Sequence, residues 1–218
     1  MRPFSLEEDS FLGLPIKKVI YEFECDNINN RETFREVIIH HLGNKQTLSS
    51  ILDSHVNKEK FTPIGYHFLI DLDGTLYYTR PIENVGGHTF GYNRTSVGVA
   101  LFGNFNKDLP TEEQITSLKN LLEILKEEFQ VKSVLGHNQA VYNFLIKEYS
   151  YLSLEKVDFS SFMSYFDYEQ AIADIRDNLL EKTTNKDVKK LVNKVTLCPG
   201  FFIQDDLKKF NKIIFENN

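Results

Sequence analysis

The sequence predicts an α/β fold, with a mixed central β-sheet flanked by helices. Three observations predict it. β-branched runs alternate with stretches of helical periodicity. Two β-rich runs are joined by Asp73-Gly74, a strong hairpin signal. Thr111 and Gln114 form a capping box just after Leu109-Pro110, so a helix begins there.

Taken in order, the N-terminal MRPFSLEEDSFLGLPIKK has an acid run, Glu7-Glu8-Asp9, and no sustained apolar core. It is not expected to be a secretory signal. Lys18 to Phe23 and Glu36 to His40 are β-branched runs that read as buried strands. Gln46 to Val56 reads as a short helix. Ile64 to Asp71 alternates, turns at Asp73-Gly74, and returns as Thr75 to Thr79. Ser96 to Phe102 is a strand closed by Gly103-Asn104. After the capping box, Ile115, Leu118, Leu122, Leu125 and Phe129 fall at steps of three or four and form one apolar stripe. Val131 to Leu135 reads as a strand ending at Gly136-His137.

The character changes between about Val141 and Lys194, where there is no Gly or Pro. Aromatic residues are frequent up to Tyr168. An amphipathic helix follows around Ala171 to Leu180, then a Lys-rich stretch. Residues 141–194 are expected to be a helical insertion within a single domain spanning 1–218. Cys198-Pro199-Gly200 marks a sharp turn, and Leu207, Phe210, Ile213 and Ile214 a last amphipathic helix.

A chain of 218 residues can bury a full core without disulfide staples. Twenty-five basic against thirty-one acidic side chains leave a net charge of −6. That balance argues against a dedicated nucleic-acid or polyanion binder. No apolar run approaches the ~20 residues of a membrane span. The chain is expected to be soluble, made in the cytosol or processed to a mature form. Two cysteines cannot make a disulfide framework, and Cys25 reads as a buried hydrophobe.

All six histidines lie between His40 and His137. Hydrolytic zinc sites use three protein ligands and leave the fourth position for water, whose pKa falls toward ~7. The candidates are His40 or His41, His137 and Cys198, all at strand ends or turns, where sites usually form. The spacing alone identifies no metal motif, since there is neither C-x-x-C nor H-E-x-x-H.

Four blocks in order carry a resemblance. They are VIIHHLG (Val37 to Gly43), the long run Ile64 to Phe105, LGHNQA (Leu135 to Ala140) and TLCPG (Thr196 to Gly200). In these blocks the chain resembles the zinc amidases that cleave N-acetylmuramoyl-L-alanine bonds, that is, the phage amidase-type lysozymes and the peptidoglycan recognition proteins. The resemblance covers about half of the chain. It implies zinc on His40, His137 and Cys198, with Tyr66 and Thr196 as catalytic residues. The phage enzymes have Lys where Thr196 stands, and the recognition proteins have Thr.

The same resemblance makes His88 and Asn93 candidate substrate contacts; His67 points away under regular pairing and is a candidate contact where the strand end twists, with a structural role as the alternative. Arg80 reads as a binder of a muropeptide carboxylate or, the favoured role, as an anchor for the hairpin, and His41 and His55 as supporting residues. The implied reaction is hydrolysis of the amide between N-acetylmuramic acid and L-alanine of peptidoglycan. The chain departs from the family in the long separation of His137 and Cys198, which puts the groove's shape in doubt. The 141–194 segment can cap the cleft, bind a protein partner or be a tolerated elaboration.

Three other readings compete. In a non-catalytic muropeptide sensor the Cys ligand is typically lost, whereas here it is present. For a regulatory protein the sequence offers no surface. A cytosolic recycling amidase generally has Asp where Cys198 stands. With no export signal expected, the site of action is the cell wall, reached after release or by another route.

Overall fold

The structure, a computed structural model, describes residues 4–22, 31, 33–43, 47–58 and 63–216. Among these residues seven strands form one mixed sheet: β1 Phe4–Phe11, β2 Leu14–Tyr21, β3 Glu36–His41, β4 Phe68–Ile70, β5 Leu76–Tyr78, β6 Ser96–Leu101 and β7 Ser133–Gly136. Their order across the sheet is β1-β2-β5-β4-β6-β3-β7. The expected α/β class is the observed one. Cys25 lies outside the described residues, as does Phe23 at the end of the expected first strand.

The edge hairpin β1–β2 has no counterpart in the sequence reading of its first strand. Only Phe11 of β1 is buried, so there is no apolar alternation to detect. Cross-strand chemistry compensates. Glu7 lies opposite Lys18 and Glu8 opposite Lys17, the latter pair 3.7 Å apart. Opposite charges facing each other across a ladder stabilise it modestly and protect an edge from further pairing.

The β4–β5 pair is the expected hairpin around Asp73-Gly74, but β4 is shorter than the alternation from Ile64 suggests. The backbone before it is engaged elsewhere. Gly65 N–H donates to His55 Nδ1 at 3.0 Å, and Gly87 N–H donates to the Gly65 carbonyl at 2.9 Å. A side chain cannot enter here, because a Cβ on Gly65 would lie 2.3 Å from the Gly87 oxygen.

Helix α1 (Leu48–Leu52) continues into a wider turn, Asp53–Lys58. Helix α2 (Glu112–Phe129) starts at the expected capping box. Gln114 is fully buried there and also donates to the Phe102 and Ile70 carbonyls, fastening the helix start to the ends of β6 and β4. Leu118, Leu121, Leu122 and Leu125 of α2 pack on Val37, Ile39, Val97, Val99 and Leu101. Each such burial contributes about 1.5–3 kcal/mol. Ile51 and Leu52 of α1 cover Leu69 and Ala100 in a separate cluster. Neighbouring strand residues face opposite ways, so His40 leaves β3 on the side opposite Ile39, away from α2.

Residues after β7 form α3 (His137–Glu148), α4 (Tyr165–Glu181), α5 (Lys186–Val192) and α6 (Gln204–Phe210). The first three share their own apolar cluster, which includes Val141, Leu145, Tyr168, Ile172, Val188 and Val192. Ser164 and Asn185 cap α4 and α5 with their side chains. Among the described residues no helix is long and apolar enough to cross a membrane.

Candidate metal centre

Strands β3, β6 and β7 run parallel, with His40 beside Ala100 and Ile39 beside Gly136. His40 therefore stands at the carboxyl end of β3, and His137 opens α3 directly after β7. Ligand sites in open α/β sheets form at such strand ends. Cys198 arrives from the far end of the chain. Its carbonyl accepts the Asn138 N–H at 3.0 Å, which ties the Cys198 turn to the first turn of α3. Gly136 leaves room for this approach, since a Cβ there would meet Pro199 at 2.7 Å.

The donor atoms of His40, His137 and Cys198 lie within 4.8 Å of one another. Cys198 Sγ is 3.7 Å from His40 Nδ1. A tetrahedral zinc ion with bonds of ~2.3 Å to sulfur and ~2.0 Å to nitrogen holds two such donors about 3.6 Å apart. The donor chemistry fits as well, because a thiolate and two imidazoles suit zinc better than magnesium or calcium.

The centre is electrically quiet without a metal. Burial, and then the neighbouring histidines, hold His40 well below its ordinary pKa. Burial takes His137 down to about 4, assisted by the positive charge of Lys194. Burial also pushes the Cys198 thiol up to about 12, so metal binding there must displace a proton.

The far side of the His40 ring is also organised. Its Nε2 is 3.2 Å from both Thr89 Oγ1 and His88 Nδ1, and those two are 3.0 Å apart. Were Nδ1, the nitrogen on the Cys198 side, to hold an ion, Nε2 would keep the proton and donate it to this pair. Such bonds fix the tautomer and ring angle of a ligand histidine. Thr89 is buried and was not among the residues singled out in the sequence. Its only signal was its place next to His88.

Residues 30–148 match the family model described as N-acetylmuramoyl-L-alanine amidase, which is more than half of the chain. The chain belongs to that family. The chain is 30% identical over 117 residues to peptidoglycan-recognition protein LE of Drosophila melanogaster, covering 54% of this chain and 31% of that protein. It is 28% identical over 180 residues to peptidoglycan recognition protein 3 of Mus musculus, covering 66% and 52%. The chain thus spans about a third and about half of these two relatives. Among solved structures it resembles the N-acetylmuramoyl-L-alanine amidase LysC from Clostridium intestinale URNW. The TM-score is 0.52 at 30% identity, over 55% of this chain and 80% of that one.

In this amidase-family chain Cys198 comes from beyond the matched stretch, yet reaches the two histidines within it. Tyr66 stands at the same centre, its ring 5.0 Å from that of His40 and 5.1 Å from that of His55. Burial, together with the neighbouring Cys198, raises its pKa, so the phenol is a neutral donor. Thr196 accepts the Cys198 N–H at 3.3 Å, leaving its own proton to donate.

His88 occupies space left by Gly98 of β6, where a Cβ would lie 2.5 Å from the imidazole. Burial and nearby positive charges take it down to about 3. Asn93 accepts the backbone N–H groups of His88 and Thr89 through Oδ1, at 2.9 and 2.8 Å. It shapes the loop that carries them. His67, the third candidate for substrate contact, is held by bonds within the fold. It is fully buried, Nδ1 accepts the Gly98 N–H at 3.0 Å, and Nε2 lies 2.9 Å from the Asn84 carbonyl and 3.1 Å from Arg31. Both ring nitrogens are spent on structure.

Arg80 likewise donates to the Pro63, Ile64 and Val85 carbonyls, the anchoring role expected of it. His41 Nδ1 accepts the Phe105 N–H at 3.1 Å and supports the strand end. His55, whose Nδ1 holds Gly65, backs Tyr66.

Proposed function

We propose that this chain is a zinc-dependent hydrolase of the amide joining N-acetylmuramic acid to L-alanine in peptidoglycan, serving cell-wall lysis or remodelling. The observation that carries the reading is the complete donor set, His40, His137 and Cys198, gathered beside the neutral phenol of Tyr66. The family match and the likeness to the LysC amidase support the same reaction. We place its action at the cell wall, reached after release or by another route.

His40, His137 and Cys198 would hold the ion. Bound there, zinc supplies Lewis-acid activation of the scissile carbonyl and of water. The remaining work falls to the chain. Tyr66 donates a hydrogen bond to the carbonyl oxygen as negative charge develops on it. Thr196 offers a second neutral donor from the Cys198 turn. Donors fixed in advance at a developing oxyanion stabilise the transition state more than the ground state. Thr89 and His88 keep the His40 ring in one tautomer, and His55 keeps the Tyr66 ring in place.

Purified protein incubated with peptidoglycan should release new L-alanine amino termini. A zinc chelator should stop the release, and added zinc should restore it. Tyr66→Phe should lower kcat by about 10²–10³ while leaving zinc affinity unchanged. A Tyr66→Phe variant as active as the parent would remove the phenol from the mechanism. Zinc bound at the site with no termini released would favour a peptidoglycan sensor instead.

A further inference from the structure

Tyr168 lies on α4 and is fully buried. Its hydroxyl donates to the Leu197 carbonyl at 3.2 Å. It accepts from Asn138 Nδ2 at 2.7 Å and from Gln204 Nε2 at 3.3 Å. A phenol has one proton to give and two lone pairs to accept with, so these three bonds use its whole capacity. Asn138 directly follows His137, and Leu197 directly precedes Cys198. The hydroxyl thus bonds to the residues flanking two of the three metal donors.

The Cys198 turn belongs to no strand and sits outside the regular helices, so its position depends on what it is fastened to. One fastening is the bond from the Asn138 N–H to the Cys198 carbonyl. Just after the turn, Phe201 and Phe202 N–H groups donate to Asn106 Oδ1 and the Phe105 carbonyl. From the helical side the turn is fastened by Tyr168, held between the rings of Phe162 and Phe201, at centroid distances of 6.0 and 5.8 Å. Through Tyr168 the 141–194 segment bonds to the neighbours of both His137 and Cys198.

Resting on the zinc reading above, we infer that the 141–194 segment is a brace for the metal centre, with Tyr168 positioning His137 and Cys198 relative to each other. The long separation of these donors in the sequence is then bridged by the segment that creates it.

A control lies in the same segment. The Tyr142 hydroxyl donates to the Glu155 carbonyl at 2.8 Å, within the helical cluster and away from Asn138 and Leu197. Zinc affinity of Tyr168→Phe and Tyr142→Phe is measured by competition with a chromophoric chelator, with thermal unfolding of the metal-free proteins alongside. Tyr168→Phe should weaken zinc binding 10–100-fold, and Tyr142→Phe should leave it within about threefold of the parent. A folded Tyr168→Phe variant that binds zinc as tightly as the parent overturns the brace.

Should Tyr168→Phe fail to fold, hydrogen exchange on the parent decides. Coupling between sites is reciprocal, so saturating zinc should slow amide exchange across Tyr165–Glu181. Exchange there that ignores zinc overturns the inference. A parent that binds no zinc overturns the zinc reading, and the brace with it. A parent that binds zinc while Tyr168→Phe has no effect overturns the brace alone.

Discussion

Replacing Cys198 by alanine should weaken zinc binding by more than about 100-fold, beyond what loss of a supporting residue costs, and should reduce amide hydrolysis to background. The thiol is one of only three donors in the cluster, and the only one able to bring a negative charge to the ion. The fold should survive. The metal-free thiol is neutral, and its polar contacts are the long one to His40, at 3.7 Å, and a hydrogen bond from the His41 backbone. Unfolding of metal-free Cys198→Ala should therefore stay close to that of the metal-free parent. Zinc affinity comes from chelator competition, and hydrolysis from the release of L-alanine amino termini. A variant that keeps parental zinc affinity would mean that the ion, if bound, sits elsewhere.

Acid should destabilise the metal-free protein steeply and early. His40, His41, His67, His88 and His137 all have pKa values below the ordinary 6.5 in the folded chain, each chiefly through burial. Above about pH 6.5 folded and unfolded chains both carry these rings neutral, so they add no pH dependence. Below it the unfolded chain takes up protons that the folded chain refuses. Stability then falls as pH drops toward the folded values, about 4 for His41 and His137 and about 3 for His88. Each ring contributes up to about 1.4 kcal/mol per pH unit in that window. Five together match much of a typical total stability of about 5–15 kcal/mol within one or two units. Thermal unfolding of the metal-free protein should be nearly flat from pH 8 to 7 and fall sharply below 6.5. A midpoint unchanged down to pH 5 would show that these rings are not held neutral. Saturating zinc should raise the curve, because it binds the folded chain.

What was legible in the sequence was what is decided locally. The capping box at Thr111 and Gln114 needs only residues three apart, and it stands as read. The Asp73-Gly74 hairpin is equally local. The β1 strand was not legible because its Glu7-Glu8-Asp9 run gains stability only from Lys17 and Lys18 on the partner strand. The early end of the β4 ladder was not legible either, because it depends on Gly65 and Gly87 meeting across 22 residues of chain. His40 or His41, His137 and Cys198 were candidates from their places at strand ends and turns, but their spacing forms no motif, and the choice of His40 came from family resemblance. Tyr168 gave no signal. It is one aromatic on an amphipathic helix, and its key partners are 30 and 29 residues away in the chain.

The site face of the sheet shows why so much depends on small residues. Gly98 and Ala100 of β6 lie beside Ile38 and His40 of β3, and the missing side chain of Gly98 admits His88. Three imidazoles and a phenol then share one side of the sheet end, away from the leucine-rich face under α2. Apolar packing on one face thus frees the other for chemistry.

The most direct test titrates zinc into metal-free protein and follows bound ion and amide hydrolysis in the same samples, using a muramoyl-L-alanine peptide. The account predicts that activity rises in proportion to occupancy and levels off at one equivalent of zinc per chain. One equivalent bound tightly at His40, His137 and Cys198 with no amide cleaved would contradict it.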